Sequence, residues 1–170
     1  MRVATIEDAA ALGRVHVRAW QTAYRGGLIP DTYLDTLSAE DRTALWRQRL
    51  GAPRPPQSAC LVAEDEEKAV VGFVDVGAAE DEAGGRTGEV RALNVDPDHW
   101  GTGAGCDLLA WAVEMLDRSG FSRAVLWVHP QNARARRFYR VHGWTEDGLE
   151  RRLDVLGVTV PETRYSRSLD

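Results

Sequence analysis

The chain has 170 residues, of which 44% are hydrophobic and 28% are charged, and its formal net charge is −5. This composition is typical of one soluble globular domain and excludes an intrinsically disordered chain. No apolar run approaches the roughly 20 residues that a bilayer span requires, and the negative net charge argues against a general nucleic-acid binder.

We expect a cytoplasmic protein, because the N-terminal sequence lacks the continuous apolar core and the cleavage site of a secretory signal. The two cysteines, Cys60 and Cys106, have no spacing typical of metal ligands. We therefore predict two buried free thiols, with neither a disulfide nor a metal site.

The first third of the chain is predicted to be mainly helical. Thr5 with Asp8, and Ser38 with Asp41, have the spacing of helix N-terminal caps, and apolar residues at helical spacing follow the first pair. The predicted elements are a short strand at 2–5, a helix at 6–24, a short helical segment after residue 30 and a helix at 43–50.

A proline-rich loop at 51–58 separates this part from a succession of strands and helices. The predicted elements are strands at 59–65, 69–78 and 88–95, a helix at 102–118, a strand at 123–128, a helix at 131–143, and strands near 144–155 and 159–169. Three successive strands imply an antiparallel meander. The chain is therefore predicted to be a single α+β domain over residues 1–170 with a mixed, mostly antiparallel sheet of six or seven strands.

Three glycines alternate in the sequence WGTGAG at 100–105, between a predicted strand and a predicted helix. Backbone N–H groups at such a helix start bind phosphates. The spacing is GxGxG rather than the GxGxxG of dinucleotide-binding folds, and the lysine of a P-loop is absent. A tight turn alone would need one or two glycines, so the alternation favours a phosphate-bearing ligand.

The sequence resembles the GNAT superfamily of acyl-CoA-dependent N-acetyltransferases in two regions. Residues 95–97, Val-Asp-Pro, precede 100–105 as a V-x-P stretch precedes that family's [Q/R]xxGxG motif. The segment from Asn132 through Phe138 and Tyr139 to Trp144 is similar to the family's NxxAxxFYxxxGF pattern. Trp100 departs from the pattern, because the family usually has Arg or Gln at this position.

The resemblance implies a GNAT-like fold with a splayed fourth and fifth strand pair, acetyl-CoA as the acyl donor, and no metal. Among the arginines at 134, 136, 137 and 140, Arg134 and Arg137 are expected to reach the phosphates of CoA, because Arg pairs well with phosphate, and exposure to solvent is the alternative. The expected acetyl-CoA-binding residues are Leu93, Asn94, Val95, Trp100, Gly101, Thr102, Gly103, Ala104, Gly105, Cys106, Asn132, Arg134 and Arg137.

The apolar alternation in the fourth strand shifts by one residue. Val90 and Ala92 are expected on one face, whereas Leu93 and Val95 are expected on the other. A β-bulge between residues 92 and 93 would produce this shift, and so would a strand that is buried on both faces. The resemblance favours the bulge, since in the family a bulge there opens the slot for the pantetheine arm and frees a backbone N–H near Leu93 or Asn94 for the oxyanion.

The catalytic residues implied by the resemblance are Tyr139 as the general acid and Glu89 as the general base. Tyr139 could also be only a core aromatic residue, and Glu89 could be an exposed residue or a partner of Arg91. His129 is an alternative base, although a single histidine at a strand end is usually structural.

Trp20 and Tyr24 are expected to be aromatic walls for the acceptor, or alternatively part of the core. Trp46 and Trp127 are predicted to be core residues. Three functions remain open: an N-acetyltransferase for a small-molecule amine, one for a protein or peptide, and a non-catalytic acyl-CoA-binding module. The intact Tyr139 favours an enzyme. We also expect no nucleic-acid or membrane partner, and a protein that is a monomer or a homodimer.

Overall fold

The computed structural model describes residues 1–80, 85–155 and 157–169, and these form seven strands in one sheet. The strands are β1 (Arg2–Val3), β2 (Ala59–Glu64), β3 (Val70–Ala78), β4 (Thr87–Val95), β5 (Arg123–Val128), β6 (Thr145–Val155) and β7 (Val158–Ser168). Their order in the sheet is β1-β2-β3-β4-β5-β7-β6, and all neighbours are antiparallel except β4 and β5. The predicted α+β fold with its antiparallel meander is confirmed.

The helices lie where their caps and apolar spacing predict them. They are α1 (Ala9–Tyr24), α2 (Asp31–Asp35), α3 (Ala39–Gly51), α4 (Ala104–Arg118) and α5 (Ala133–Val141), with 3-10 turns at Ile6–Asp8 and Pro97–His99. The Ser38 hydroxyl accepts a hydrogen bond from the backbone N–H of Asp41 at 3.2 Å and caps α3 as predicted.

The helices cover both faces of the sheet, and the alternation of β2 shows the two layers. Cys60 and Val62 pack with α1, α3 and Phe73, whereas Leu61 and Ala63 pack with α4. Because β2 and β3 are buried on both sides, a ligand can reach the sheet only where its strands separate rather than on these covered faces.

Two predictions about burial are wrong. Cys60 is buried, but Cys106 is exposed, because it lies in the first turn of α4 on the side away from the sheet. Trp46 is fully buried as predicted, whereas Trp127 is only partly buried and the guanidinium carbon of Arg151 lies 4.2 Å from its ring centroid. A tryptophan on the open face of a sheet is therefore covered by arginines rather than by the core.

The β-bulge is present, although it lies earlier than the sequence predicts. Asp75 pairs with Ala92 and Val76 pairs with Val90, so Arg91 is the extra residue. Val90 consequently packs in the layer under α4 and Ala92 in the layer under α1, whereas the sequence analysis placed both on one face. The apolar side chains of β4 therefore change from one face of the sheet to the other between Val90 and Ala92, rather than between residues 92 and 93.

Candidate active site

The parallel strands β4 and β5 separate halfway along their length. Residues Thr87–Val90 of β4 pair with Arg123–Leu126 of β5, and the two strands diverge after Val90 and Leu126. The separation starts at the bulge, where the extra residue turns the end of β4 away from β5. The result is a slot in the sheet, edged by backbone groups of β4 that do not pair with β5.

Leu93 and Val95 direct their backbone groups into this slot. The Asp96 N–H donates to the Val71 carbonyl at 2.8 Å, which makes those two residues a hydrogen-bonded pair of the antiparallel β3–β4 ladder. Because the bonding alternates along such a ladder, Leu93 and Val95 belong to the non-bonded pairs and point away from β3. The side chain of Asn94 is on the face under α1, with Ala92.

Trp100 closes one end of the slot. Its indole N–H donates to the Val95 carbonyl at 2.8 Å, and the guanidinium carbon of Arg134 lies 3.6 Å from the centroid of its ring. Partial burial lowers the pKa of Arg134. Trp100, the residue that departs from the family pattern, therefore stacks with Arg134 of α5. This stacking places a guanidinium beside the glycine loop.

The glycine loop turns the chain from β4 into α4. Gly101 and Gly103 have φ values of 84° and 101°, which residues with a side chain rarely adopt. A Cβ at Gly105 would meet Val95 and Phe138 at ordinary distances of 3.6 Å and more, so packing within the chain does not require glycine there. The positive φ values explain why glycine is present at 101 and 103. Glycine at 105 leaves space in which a ligand can approach the backbone closely.

The start of α5 completes this side of the site. Arg134, Arg137 and Phe138 line an open cavity of about 470 Å³ on its surface, and no described acidic residue pairs with either arginine. The cations at the start of α5 and the backbone N–H groups at the start of α4 form a surface that fits a diphosphate. Thr102 lies in the glycine loop, where its hydroxyl donates to the His99 carbonyl at 2.8 Å, and Cys106 lies in the first turn of α4.

Tyr139 is buried beside this surface and is 9% exposed. Burial, followed by the nearby Tyr24, raises the pKa of its hydroxyl well above 10. The ring packs edge-on against Phe138 at 5.3 Å between centroids. Tyr139 is therefore protonated at neutral pH, as a proton donor must be.

Tyr24 reaches the same region from α1. Burial, followed by the charge of Glu162, raises its pKa to about 12, and the Asn132 side chain donates a hydrogen bond to its oxygen. The other end of the Asn132 amide accepts from the Ala135 N–H at 3.0 Å and caps α5. Asn132 thus joins α1 to the start of α5. The ring centroid of Trp20, also on α1, lies 5.1 Å from that of Tyr24.

The two candidate bases lie in different surroundings. His129 is 3% exposed, and the Gln131 N–H donates to its Nδ1 at 3.2 Å while the ring donates to the Leu28 carbonyl. Burial lowers the pKa of His129. Since both ring nitrogens are engaged, His129 anchors the loop between α1 and α2 rather than offering a free lone pair.

Glu89 belongs to the paired part of β4, opposite Val125, and is partly buried. A Cβ at the neighbouring Gly88 would meet Leu116 of α4, so the Glu89 side chain is directed to the other face of the sheet. Tyr139 packs with the α4 layer. Tyr139 and Glu89 thus lie on opposite faces of the sheet.

The sequence analysis missed Glu162, whose carboxylate accepts from Arg151 at 2.7 Å and acts electrostatically on Tyr24 and His129. It lies far along the chain from the residues that it influences, and no spacing signal links them. Among the described residues, no group of three or more His, Cys, Asp or Glu side chains is arranged to hold a metal ion. None of the described helices has the length and apolar character needed to cross a membrane.

Comparison with known proteins shows similarity over most of the chain. The family described as "Acetyltransferase (GNAT) family" matches residues 17–144. The uncharacterized N-acetyltransferase YuaI of Bacillus subtilis (strain 168) is 32% identical over 162 residues, which cover 95% of this chain and 88% of YuaI.

Solved structures agree over almost the whole chain. The acetyltransferase yncA from Salmonella typhimurium, solved with acetyl-CoA, is 26% identical with a TM-score of 0.69, covering 99% of this chain and 92% of that one. The ribosomal-protein-alanine N-acetyltransferase from Brucella melitensis is 25% identical with a TM-score of 0.71, covering 99% and 98%. These relatives favour an enzyme over a non-catalytic binding module.

Proposed function

The chain belongs to the acetyltransferase (GNAT) family and is an acetyl-CoA-dependent acetyltransferase, and from this premise we propose that its acceptor is the primary amine of a small molecule. The amine attacks the acetyl group directly, and Tyr139 is the general acid. The slot between β4 and β5, which has the glycine loop at one end and Tyr139 beside it, supports the direct attack. The observation that favours a small acceptor is the aromatic pair on α1, where the ring centroids of Trp20 and Tyr24 lie 5.1 Å apart.

The donor side of the site holds acetyl-CoA. The N–H groups at residues 101–106, together with Arg134 and Arg137, bind the diphosphate, and the slot-facing groups of Leu93 and Val95 bind the pantetheine arm. Bound acetyl-CoA supplies a thioester carbonyl as the electrophile. The Leu93 N–H then stabilises the charge that develops on the acyl oxygen, a contribution on the order of 3 kcal/mol for such donors.

Proton transfers complete the reaction. As the bond from the amine nitrogen to the acyl carbon forms and the carbon–sulfur bond breaks, Tyr139 donates its proton to the departing thiolate and is reprotonated from solvent. The Tyr139 hydroxyl is protonated at neutral pH, since burial raises its pKa above the ordinary value near 10. Glu89 accepts the amine proton through water, because it lies two residues before the bulge and on the acceptor face.

Purified protein should release CoA from acetyl-CoA in the presence of a suitable small amine. Tyr139→Phe should slow this release by about 100-fold or more, with acetyl-CoA binding nearly unchanged, because only proton donation is lost. Tyr33→Phe is a matched control, since the buried Tyr33 hydroxyl has no partner among the described residues. Unimpaired turnover by Tyr139→Phe would remove Tyr139 from the mechanism.

A protein or peptide acceptor is the second candidate. The ribosomal-protein-alanine N-acetyltransferase supports it, because that relative covers the chain almost completely. A panel that contains both small amines and peptides with free N-termini distinguishes the two, and turnover of peptides alone would replace the first proposal with the second.

A further inference from the structure

Three side chains between α1 and α3 have buried polar atoms without a partner in the described part of the chain. They are both ring nitrogens of His16, Nη2 of Arg42 and Nε1 of Trp46. Buried polar groups are ordinarily hydrogen-bonded, and leaving them unpaired costs stability. A cluster of such atoms in one place indicates a region that is built for more than packing.

The electrostatic character of this region is positive. Burial, followed by the charges of Arg42 and Arg49, lowers the pKa of His16 to about 3. Arg42 makes no ion pair with any described residue, although it is partly buried, whereas Arg54, which is also partly buried, pairs with Asp75 at 3.1 Å. A partly buried guanidinium without a carboxylate is complementary to an anionic ligand group.

Arg42 stands at the outer end of a row of aromatic rings that leads to the proposed reaction centre. Its guanidinium carbon is 6.0 Å from the ring centroid of Trp20, whose ring is 5.1 Å from that of Tyr24. Tyr24 accepts from Asn132 and acts electrostatically on Tyr139. A molecule that lies along Trp20 with its amine near Tyr139 would therefore extend toward Arg42.

We propose that Arg42 binds an anionic group of the acceptor, a carboxylate or a phosphoryl group that lies several bonds away from the amine. This inference rests on the proposed acetyltransferase function and names its substrate class, an amine with a remote anion. Because Nη2 is buried, the guanidinium binds either oxyanion through an N–H of Nε or Nη1. His16 and Trp46 form the buried wall behind it, where exclusion of water strengthens the ion pair.

The test uses matched acceptors that differ in one group. Each set contains an amine with a remote carboxylate, its phosphonate analogue, and the uncharged amide. We expect Arg42→Gln to lower kcat/KM for the anionic acceptor by about 10- to 100-fold through KM, with kcat/KM for the amide unchanged. The carboxylate and phosphonate arms show which anion is preferred, and Arg42→Lys should restore part of the loss.

Arg47→Gln is the matched control, because Arg47 is an exposed arginine of the same helix with no described partner. Carboxylates that lack the amine should inhibit the unmodified protein competitively against the acceptor and should not inhibit Arg42→Gln. An equal loss for charged and uncharged acceptors, or no loss for either, would overturn the proposal. In both cases turnover of the uncharged amide by the unmodified protein leaves the proposed function standing, whereas CoA release with no amine at all contradicts the function itself.

Discussion

The donor side and the acceptor side of this site are built in different ways. The donor side is formed mainly by backbone groups of two short segments, the loop at 101–106 and the slot-facing part of β4, with arginines from the start of α5. The acceptor side that we propose consists of side chains from α1, α3, β7 and the loop after β5, among them Tyr24, Arg42, Glu162 and His129. Backbone recognition is encoded locally, whereas side-chain recognition depends on the tertiary fold.

A substitution in the glycine loop should affect the donor side alone. Gly103 has a φ of 101°, so Gly103→Ala strains the backbone and turns the loop N–H groups away from a diphosphate. We expect the Kd for acetyl-CoA to rise on the order of 10- to 100-fold, as measured by titration calorimetry.

Gly148→Ala provides a control with the same strain at a distance from the site. Gly148 has a φ of 85°, and a Cβ at either glycine would meet nothing within 4 Å. The Kd of Gly148→Ala for acetyl-CoA should be unchanged. Its free energy of unfolding should fall by about as much as that of Gly103→Ala. Equal Kd values for the two variants would show that the loop does not bind the diphosphate.

Acid should destabilise the acceptor side through His16. The folded-state pKa of His16 is lowered from 6.5 to about 3, so between these values the unfolded chain binds a proton that the folded chain does not. The free energy of unfolding should therefore fall as the pH falls below 6.5, by about 1.4 kcal/mol per pH unit from this residue. Urea unfolding at pH 7, 6 and 5 measures the slope.

His16→Phe should reduce this slope without altering the Kd for acetyl-CoA, because the donor side does not include α1. Equal slopes for both proteins would mean that His16 is not buried in its neutral form. A change in acetyl-CoA affinity would instead mean that the two sides are not separate.

The smallest expected effect concerns the stacked pair that replaces the family's usual Arg or Gln. Arg134→Ala should raise the Kd for acetyl-CoA by about 3- to 10-fold, because one phosphate-facing charge is lost. Trp100→Phe keeps an aromatic ring under Arg134 and removes only the N–H that bonds to Val95. It should bind nearly as well as the unmodified protein, and a larger effect of Trp100→Phe than of Arg134→Ala would assign the phosphate contact to the indole.

Much of the fold could be predicted from local patterns, since capping residues, apolar spacing and glycine turns act within a few residues of one another. The bulge was predicted from the apolar alternation, but its position was not, because both Val90 and Ala92 are buried and only the pairing with β3 shows which layer each one joins. The exposure of Cys106 depends on the rotation of α4 against the sheet.

Most of the acceptor side could not be predicted for a related reason. Glu162 influences Tyr24 only because β7 lies beside β5, a pairing that joins distant parts of the chain. The engagement of both His129 nitrogens likewise depends on where the loop at Leu28 lies. Side-chain sites that are assembled across the sheet leave no spacing signal in a single sequence.

A crystal structure of the protein with acetyl-CoA tests the central claim most directly. We predict that the diphosphate contacts the N–H groups at 101–106 and the Arg134 side chain, and that the thioester lies between the Leu93 backbone and the Tyr139 hydroxyl. A complex in which the thioester lies outside the slot between β4 and β5, or in which its sulfur is out of hydrogen-bond reach of the Tyr139 hydroxyl, would contradict it.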